Sequence, residues 1–148
     1  MGAADAMDLL PDDPREFVSE ADADALPDDK VLDALCSACI VNDVVTVSRL
    51  AKRIDVNALD HNKQTALGYA VGNNNPECVK LLLAHGADSN RVENWGNTAM
   101  HVCASSVSSK EIFKMLQAAG GDVNIKNDEG QSVLDLLKQH RRRNWSAG

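Results

Sequence analysis

Short apolar runs at three- and four-residue spacing recur along this chain, and the polar stretches between them return at a nearly constant interval. Leu67/Ala70/Val71 and Met100/Cys103/Ala104 each mark one face of a short helix. A second run follows each of them, Val79/Leu82/Leu83 and Ile112/Met115/Leu116, after a polar break at Asn73-Asn74-Asn75-Pro76 or Ser105 to Ser109. Pro76 suits the first turn of its helix, where the missing N–H costs nothing. Gly86 and Gly120 suit the left-handed residue that ends one. Thr65, Thr98 and Ser132 stand just ahead of apolar runs, where a hydroxyl caps a helix. They are 33 and 34 residues apart, and so are Asn57, Asn90 and Asn124. A helix–turn–helix unit of this size cannot bury its apolar face alone, whereas several stacked in register can.

Two sequence markers fix the comparison. Thr65-Ala66-Leu67-Gly68 and Thr98-Ala99-Met100-His101 open the central units; Gly86-Ala87-Asp88-Ser89-Asn90 and Gly120-Gly121-Asp122-Val123-Asn124 close them. In these residues the chain resembles the ankyrin-repeat family, whose consensus pairs Thr-Pro-Leu-His with Gly-Ala-Asp-x-Asn; Ala replaces Pro in both copies. A degenerate earlier unit runs from Leu35-Cys36-Ser37-Ala38-Cys39 to Asp55-Val56-Asn57, and a shortened one opens at Asn127. The resemblance covers about residues 30–140 and implies an all-α ankyrin-repeat solenoid of stacked helix-turn-helix units with β-hairpin-like finger loops. The expected organisation is an acidic segment 1–29, a repeat domain 30–140 and a basic tail 141–148. Within the domain we expect a cap repeat at 30–57, central repeats at 58–90 and 91–124, and a second cap at 125–140. Lys63 stands where the turn glycine is expected, which predicts a distorted first finger. The inter-helix turn from Ser105 to Lys110 is one residue longer than its predecessor.

The resemblance also implies a function: a non-enzymatic scaffold or adaptor that binds another protein or a peptide in a concave groove lined by finger tips and inner helices. Carried over residue by residue, the partner-binding positions are Leu59, His61, Asn62 and Gln64 in one finger and Val92, Asn94, Trp95 and Asn97 in the next. Lys126, Asp128, Glu129 and Gln131 form the last, and Tyr69, Asn73, Val102 and Ser105 line the inner-helix side. Trp95 stands out, because an indole on a polar finger is either a binding hot spot or packed on its neighbour. His101 resembles the family's structural histidine, which bonds locally to fasten the turn.

Composition narrows the alternatives. Aromatic residues make up only 3% of the 148 positions, so the core must be built from Leu, Val, Ile and Ala. Residues 1–29 carry ten acids and one base, whereas residues 30–148 carry 14 bases and 12 acids. The acidic segment intersperses Met7, Leu9, Leu10, Phe17 and Val18 among its charges, so it reads as a solubilising tail, a cap or a recognition motif for a regulated assembly. The repeat region has no dense basic stripe, which disfavours nucleic acid. No run of 18 apolar residues is present, and no apolar leader precedes the repeats, so we expect no membrane association and a cytoplasmic or nuclear location. Cys36-x-x-Cys39 lacks the second ligand pair of a structural zinc site, which leaves core packing. HExxH, GxSxG, Walker and GxGxxG sequences are absent. No catalytic residue, metal, cofactor or small-molecule substrate is therefore expected.

Overall fold

A computed structural model gives the fold and describes residues 26–106 and 110–140. The helices are α1 (Asp28–Val41), α2 (Val44–Leu50), α3 (Ala66–Gly72), α4 (Pro76–Ala84), α5 (Ala99–Ser105), α6 (Lys110–Ala118) and α7 (Val133–His140). Six of these have only seven to nine residues. Isolated helices that short are unstable in water, so each must gain its stability by packing.

The packing forms two layers. Helices α1, α3, α5 and α7 neighbour one another in chain order as an inner layer, and α2, α4 and α6 do the same outside them. Each outer helix also packs on the inner helix just before it. One apolar column runs through the inner layer at Leu35, Leu67 and Met100, another through the outer layer at Leu50, Leu82 and Leu116, all of them buried. Burying each such side chain stabilises the stack by about 1.5–3 kcal/mol. Small residues at Ala38, Ala70 and Cys103 keep the inner helices close, and the four free cysteines are all buried among these columns. Burial pushes the Cys36 thiol up to about 12, so it stays neutral and packs as an apolar residue.

Sequence markers become caps. The Thr65 hydroxyl accepts from Gly68 N at 3.1 Å, and the Ser132 hydroxyl accepts from Asp135 N at 3.2 Å. Asp43 caps α2 by accepting from Thr46 N at 3.2 Å. Gly86 and Gly120 adopt φ of 92° and 97°, the left-handed conformation that ends α4 and α6. Asparagines then tie successive repeats together. Asn57 Nδ2 donates to Gly86 O at 3.0 Å while its Oδ1 accepts from Asp88 N at 2.7 Å. Asn90 does the same one repeat later, to Gly120 O at 2.9 Å and from Asp122 N at 2.7 Å. The regular recurrence of Asn at 57 and 90 is thus a pair of bonds between units, made at each of the first two junctions.

The last unit is thinner. Leu134 occupies the position of Leu67 and Met100 but is 42% exposed, because α7 has a neighbour on one side only among the described residues.

Candidate functional site: the finger edge

Three fingers project beside the inner helices, at Asp60–Gln64, Glu93–Asn97 and Asn127–Gln131. Each is closed by the same backbone bond: Asp60 N donates to Gln64 O, Glu93 N to Asn97 O, and Asn127 N to Gln131 O, at 2.7–2.9 Å. In the first and third, a short side chain at the opening position braces the loop from inside. Asp60 Oδ1 accepts from Asn62 N and Gln64 N at 2.9 and 3.0 Å. Asn127 Oδ1 accepts from Glu129 N and Gln131 N, both at 3.0 Å. Lys63 adopts φ 59°, the conformation Gly130 takes in the third finger at φ 74°. The expected distortion of the first finger is therefore not found, because the Asp60 brace holds a non-glycine residue in the left-handed region.

The second finger is the one that differs. Its opening residue is Glu93, one methylene longer than Asp, and its carboxylate reaches backwards to the start of α3. Oε1 accepts from Thr65 N at 2.6 Å and from the Thr65 hydroxyl at 3.1 Å. Glu93 is only 7% exposed, and its Oε2 is buried without a hydrogen-bond partner. Gly68 makes the room: a Cβ there would lie 2.7 Å from Oε2 and 2.9 Å from Cδ of Glu93. With the internal brace withdrawn, two consecutive residues turn left-handed, Trp95 at φ 60° and Gly96 at φ 71°. Such a backbone costs a non-glycine residue roughly 1–2 kcal/mol. Neighbouring fingers hold it: Asn94 N donates to Lys63 O at 2.8 Å, and Asp128 N donates to Trp95 O at 3.0 Å. Gly96 cannot carry a side chain, since a Cβ would sit 2.7 Å from Asp128 N.

The third unit solves the same problem with histidine. His101 Nδ1 accepts from Thr98 N at 3.1 Å, which leaves the proton on Nε2 to donate to Gln131 O at 3.0 Å. His101 is fully buried and fastens the helix cap to the following finger. Glu93 and Gly68 together replace such a histidine in the second unit, with the acceptor supplied from the finger instead of the helix.

The fingers form one continuous edge. Asn94 Nδ2 donates to Asn62 O at 3.2 Å, and Asn127 Nδ2 donates to Asn97 Oδ1 at 3.0 Å. His61, Asn62, Val92, Trp95, Lys126, Asp128 and Glu129 are exposed along it, while Leu59, Gln64, Asn94, Asn97 and Gln131 are half-buried. Trp95 is 75% exposed, more than any other large apolar side chain described as exposed. The indole is thus directed outward and is not packed on its neighbour. On the inner-helix side, Tyr69 is half-buried and its hydroxyl donates to Asp60 Oδ2 at 2.6 Å. Burial and that carboxylate push the Tyr69 hydroxyl up to about 12. Burial opposes ionisation of Asp60, but the bonds from Tyr69 and the Gln64 and Asn62 amides hold it below the usual aspartate value. Asn73 Nδ2 donates to Tyr69 O at 2.8 Å, and the Ser105 hydroxyl donates to His101 O at 2.9 Å, so both are occupied in capping. Val102 is half-buried beside them. The longer inter-helix turn lies partly outside the described residues, at 107–109.

Sequence reading placed the edge but missed Glu93, Gly68 and Gly96. A signal for the first two existed: one repeat later the chain has His101 at the position of Gly68 and Asn127 at that of Glu93, so both departures fall at one junction.

Stacked two-helix units with projecting fingers define a helical repeat protein, a class built around an extended binding edge. The family profile described as ankyrin repeats matches residues 34–127 in three copies. The chain belongs to the ankyrin-repeat family, whose repeats mediate binding to other proteins. It is 32% identical over 87 residues to protein phosphatase 1 regulatory subunit 27 of Mus musculus, covering 59% of this chain and 56% of that protein. The Homo sapiens protein of the same name is 38% identical over 72 residues, 49% of this chain and 46% of that one. The chain thus spans about half the length of these relatives. A palmitoyltransferase of Candida albicans is 30% identical over 104 residues, 70% of this chain but 12% of its own, so similar repeats also occur within an enzyme.

Proposed function

We propose that the chain is a non-enzymatic adaptor that captures a partner protein or peptide on its finger edge, with the Trp95 indole as the anchor. The supporting observation is an indole 75% exposed on a backbone pinned from both sides by neighbouring fingers. A rigid aromatic presented this way loses little entropy on binding, and Trp is over-represented among interface hot spots. Protein phosphatase 1 is the first partner to test, because two of the relatives carry its name as regulatory subunits. Four free buried thiols support a reducing compartment, the cytoplasm or nucleus.

Isothermal titration of protein phosphatase 1 with the intact chain and with Trp95→Ala tests both statements. Truncating a hot spot weakens binding by about 2 kcal/mol or more, roughly thirtyfold. Equal affinity of the two proteins would remove Trp95 from the interface, and no binding by either would remove this partner. The acidic segment offers a second reading, since residues 1–29 hold ten of the chain's 22 acids. A deletion that tests it should stop at residue 25, because Arg53 Nη2 donates to Leu26 O at 2.6 Å and to Asp28 Oδ1 at 3.1 Å. Capture that survives the deletion unchanged assigns recognition to the repeats.

A further inference from the structure

Glu93 is the one buried acid among the described residues, and it roots the finger that carries Trp95. Its backbone N–H and C=O both close that finger, to Asn97 O at 2.7 Å and from Gly96 N at 3.2 Å. Its side chain lies in the space left by Gly68, with one oxygen accepting two hydrogen bonds from Thr65 and the other unpartnered. An ionised carboxylate with a sealed, unsatisfied oxygen is costly, whereas a neutral carboxyl in the same place is much less so. Asp60 on the first finger repels the charge and Arg91, two residues back along the chain, attracts it. Cys36 from α1 also faces the carboxylate, as a neutral thiol.

We propose that Glu93 is a proton-operated latch on the Trp95 finger: the protonated carboxyl stays in the Gly68 niche, and ionisation favours an open state in which it leaves. As a control on partner capture, this rests on the functional reading above. As a property of the free chain it stands on Glu93, Gly68 and Thr65 alone.

The direction follows from the two environments. In the niche, burial and the nearby Asp60 charge raise Glu93 from the ordinary 4.5 to about 6, against the bonds from Thr65 and the Arg91 charge. In the open state the carboxyl meets water and returns to its ordinary value. The latched state therefore binds the proton more tightly and is favoured in acid. Its advantage is full below the open-state value and is lost as pH rises through about 6. The difference amounts to an opening constant about twentyfold larger at pH 7 than at pH 4.

Amide exchange measured by NMR on the free, full chain between pH 4 and 7.5, corrected for intrinsic rates, tests this without a partner. Thr65 N–H should lose protection by up to about twentyfold as pH rises, while Asp122 N–H, bonded to Asn90 in the inter-repeat ladder, should show no such step. In Glu93→Gln the step at Thr65 should disappear. Trp95 fluorescence in a Trp145→Phe background should report a transition near pH 6. A flat profile at Thr65, a step shared equally by Asp122, or a step that persists in Glu93→Gln would each overturn the latch. None of these results bears on whether the finger edge binds a partner.

Discussion

Replacing Gly68 by His and Glu93 by Asn would give the second repeat the hydrogen-bonding device of the third. In the third, Gln131 O accepts from both Asn127 N and His101 Nε2. Its counterpart Asn97 O accepts from Glu93 N, and a histidine at 68 would have the same carbonyl to meet. Glu93→Asn alone shortens the side chain and leaves the buried Thr65 N–H without its acceptor. An unpaired buried donor costs about 1–3 kcal/mol. In a Gly68→His background, the imidazole supplies that acceptor, and the shorter amide introduced by Glu93→Asn is free to brace its own finger as Asn127 does. The same Glu93→Asn change should then stabilise, because it also withdraws the carboxylate that a Cβ at 68 would meet within 3.0 Å. The two positions should be coupled by about 2 kcal/mol or more, well outside the 0.3–0.5 kcal/mol within which independent sites add. Urea unfolding of the parent, both single variants and the double variant measures this directly. An equal cost for Glu93→Asn in both backgrounds would refute the claim that Glu93 stands in for a histidine.

Other consequences are smaller. Trp95→Gly should leave the urea midpoint unchanged or higher, because it relieves a left-handed backbone and removes a mostly exposed ring; a loss above about 1 kcal/mol would mean that the indole packs. Lys63→Gly should stabilise by roughly 0.5–1 kcal/mol, since φ 59° suits glycine, and a destabilised variant would argue against that conformation. Asn90→Ala removes both ladder bonds at one junction and should cost about 2 kcal/mol in thermal or urea unfolding. A cost near zero would show that the ladder is decorative.

Much of the fold could be read from residues whose role is local. Thr65, Pro76, Gly86 and Gly120 act through capping and backbone conformation that a sequence of a few residues determines. The recurrence of Asn57 and Asn90 announced a repeat, although their bonds to the next unit needed coordinates. The finger edge was placed by register, and Trp95 emerged from its mismatch with a polar loop. The Glu93–Gly68 pairing was harder to see because it joins residues 25 apart, and neither is unusual alone. Lys63 drew attention as an exception, yet the Asp60 brace absorbed it; the altered finger was the one whose opening acid had grown by a methylene.

Because each unit touches only its neighbours, the finger edge is not equally firm along its length. The third finger belongs to the unit whose α7 is flanked on one side among the described residues, with Leu134 in partial contact with solvent. A unit packed on one face opens more readily than one packed on both. A ligand that spans the second and third fingers would therefore meet a fixed wall and a yielding one. It could seat first against Trp95 and then draw the less firmly held finger closed around itself, so that recognition would tighten the unit that carries α7.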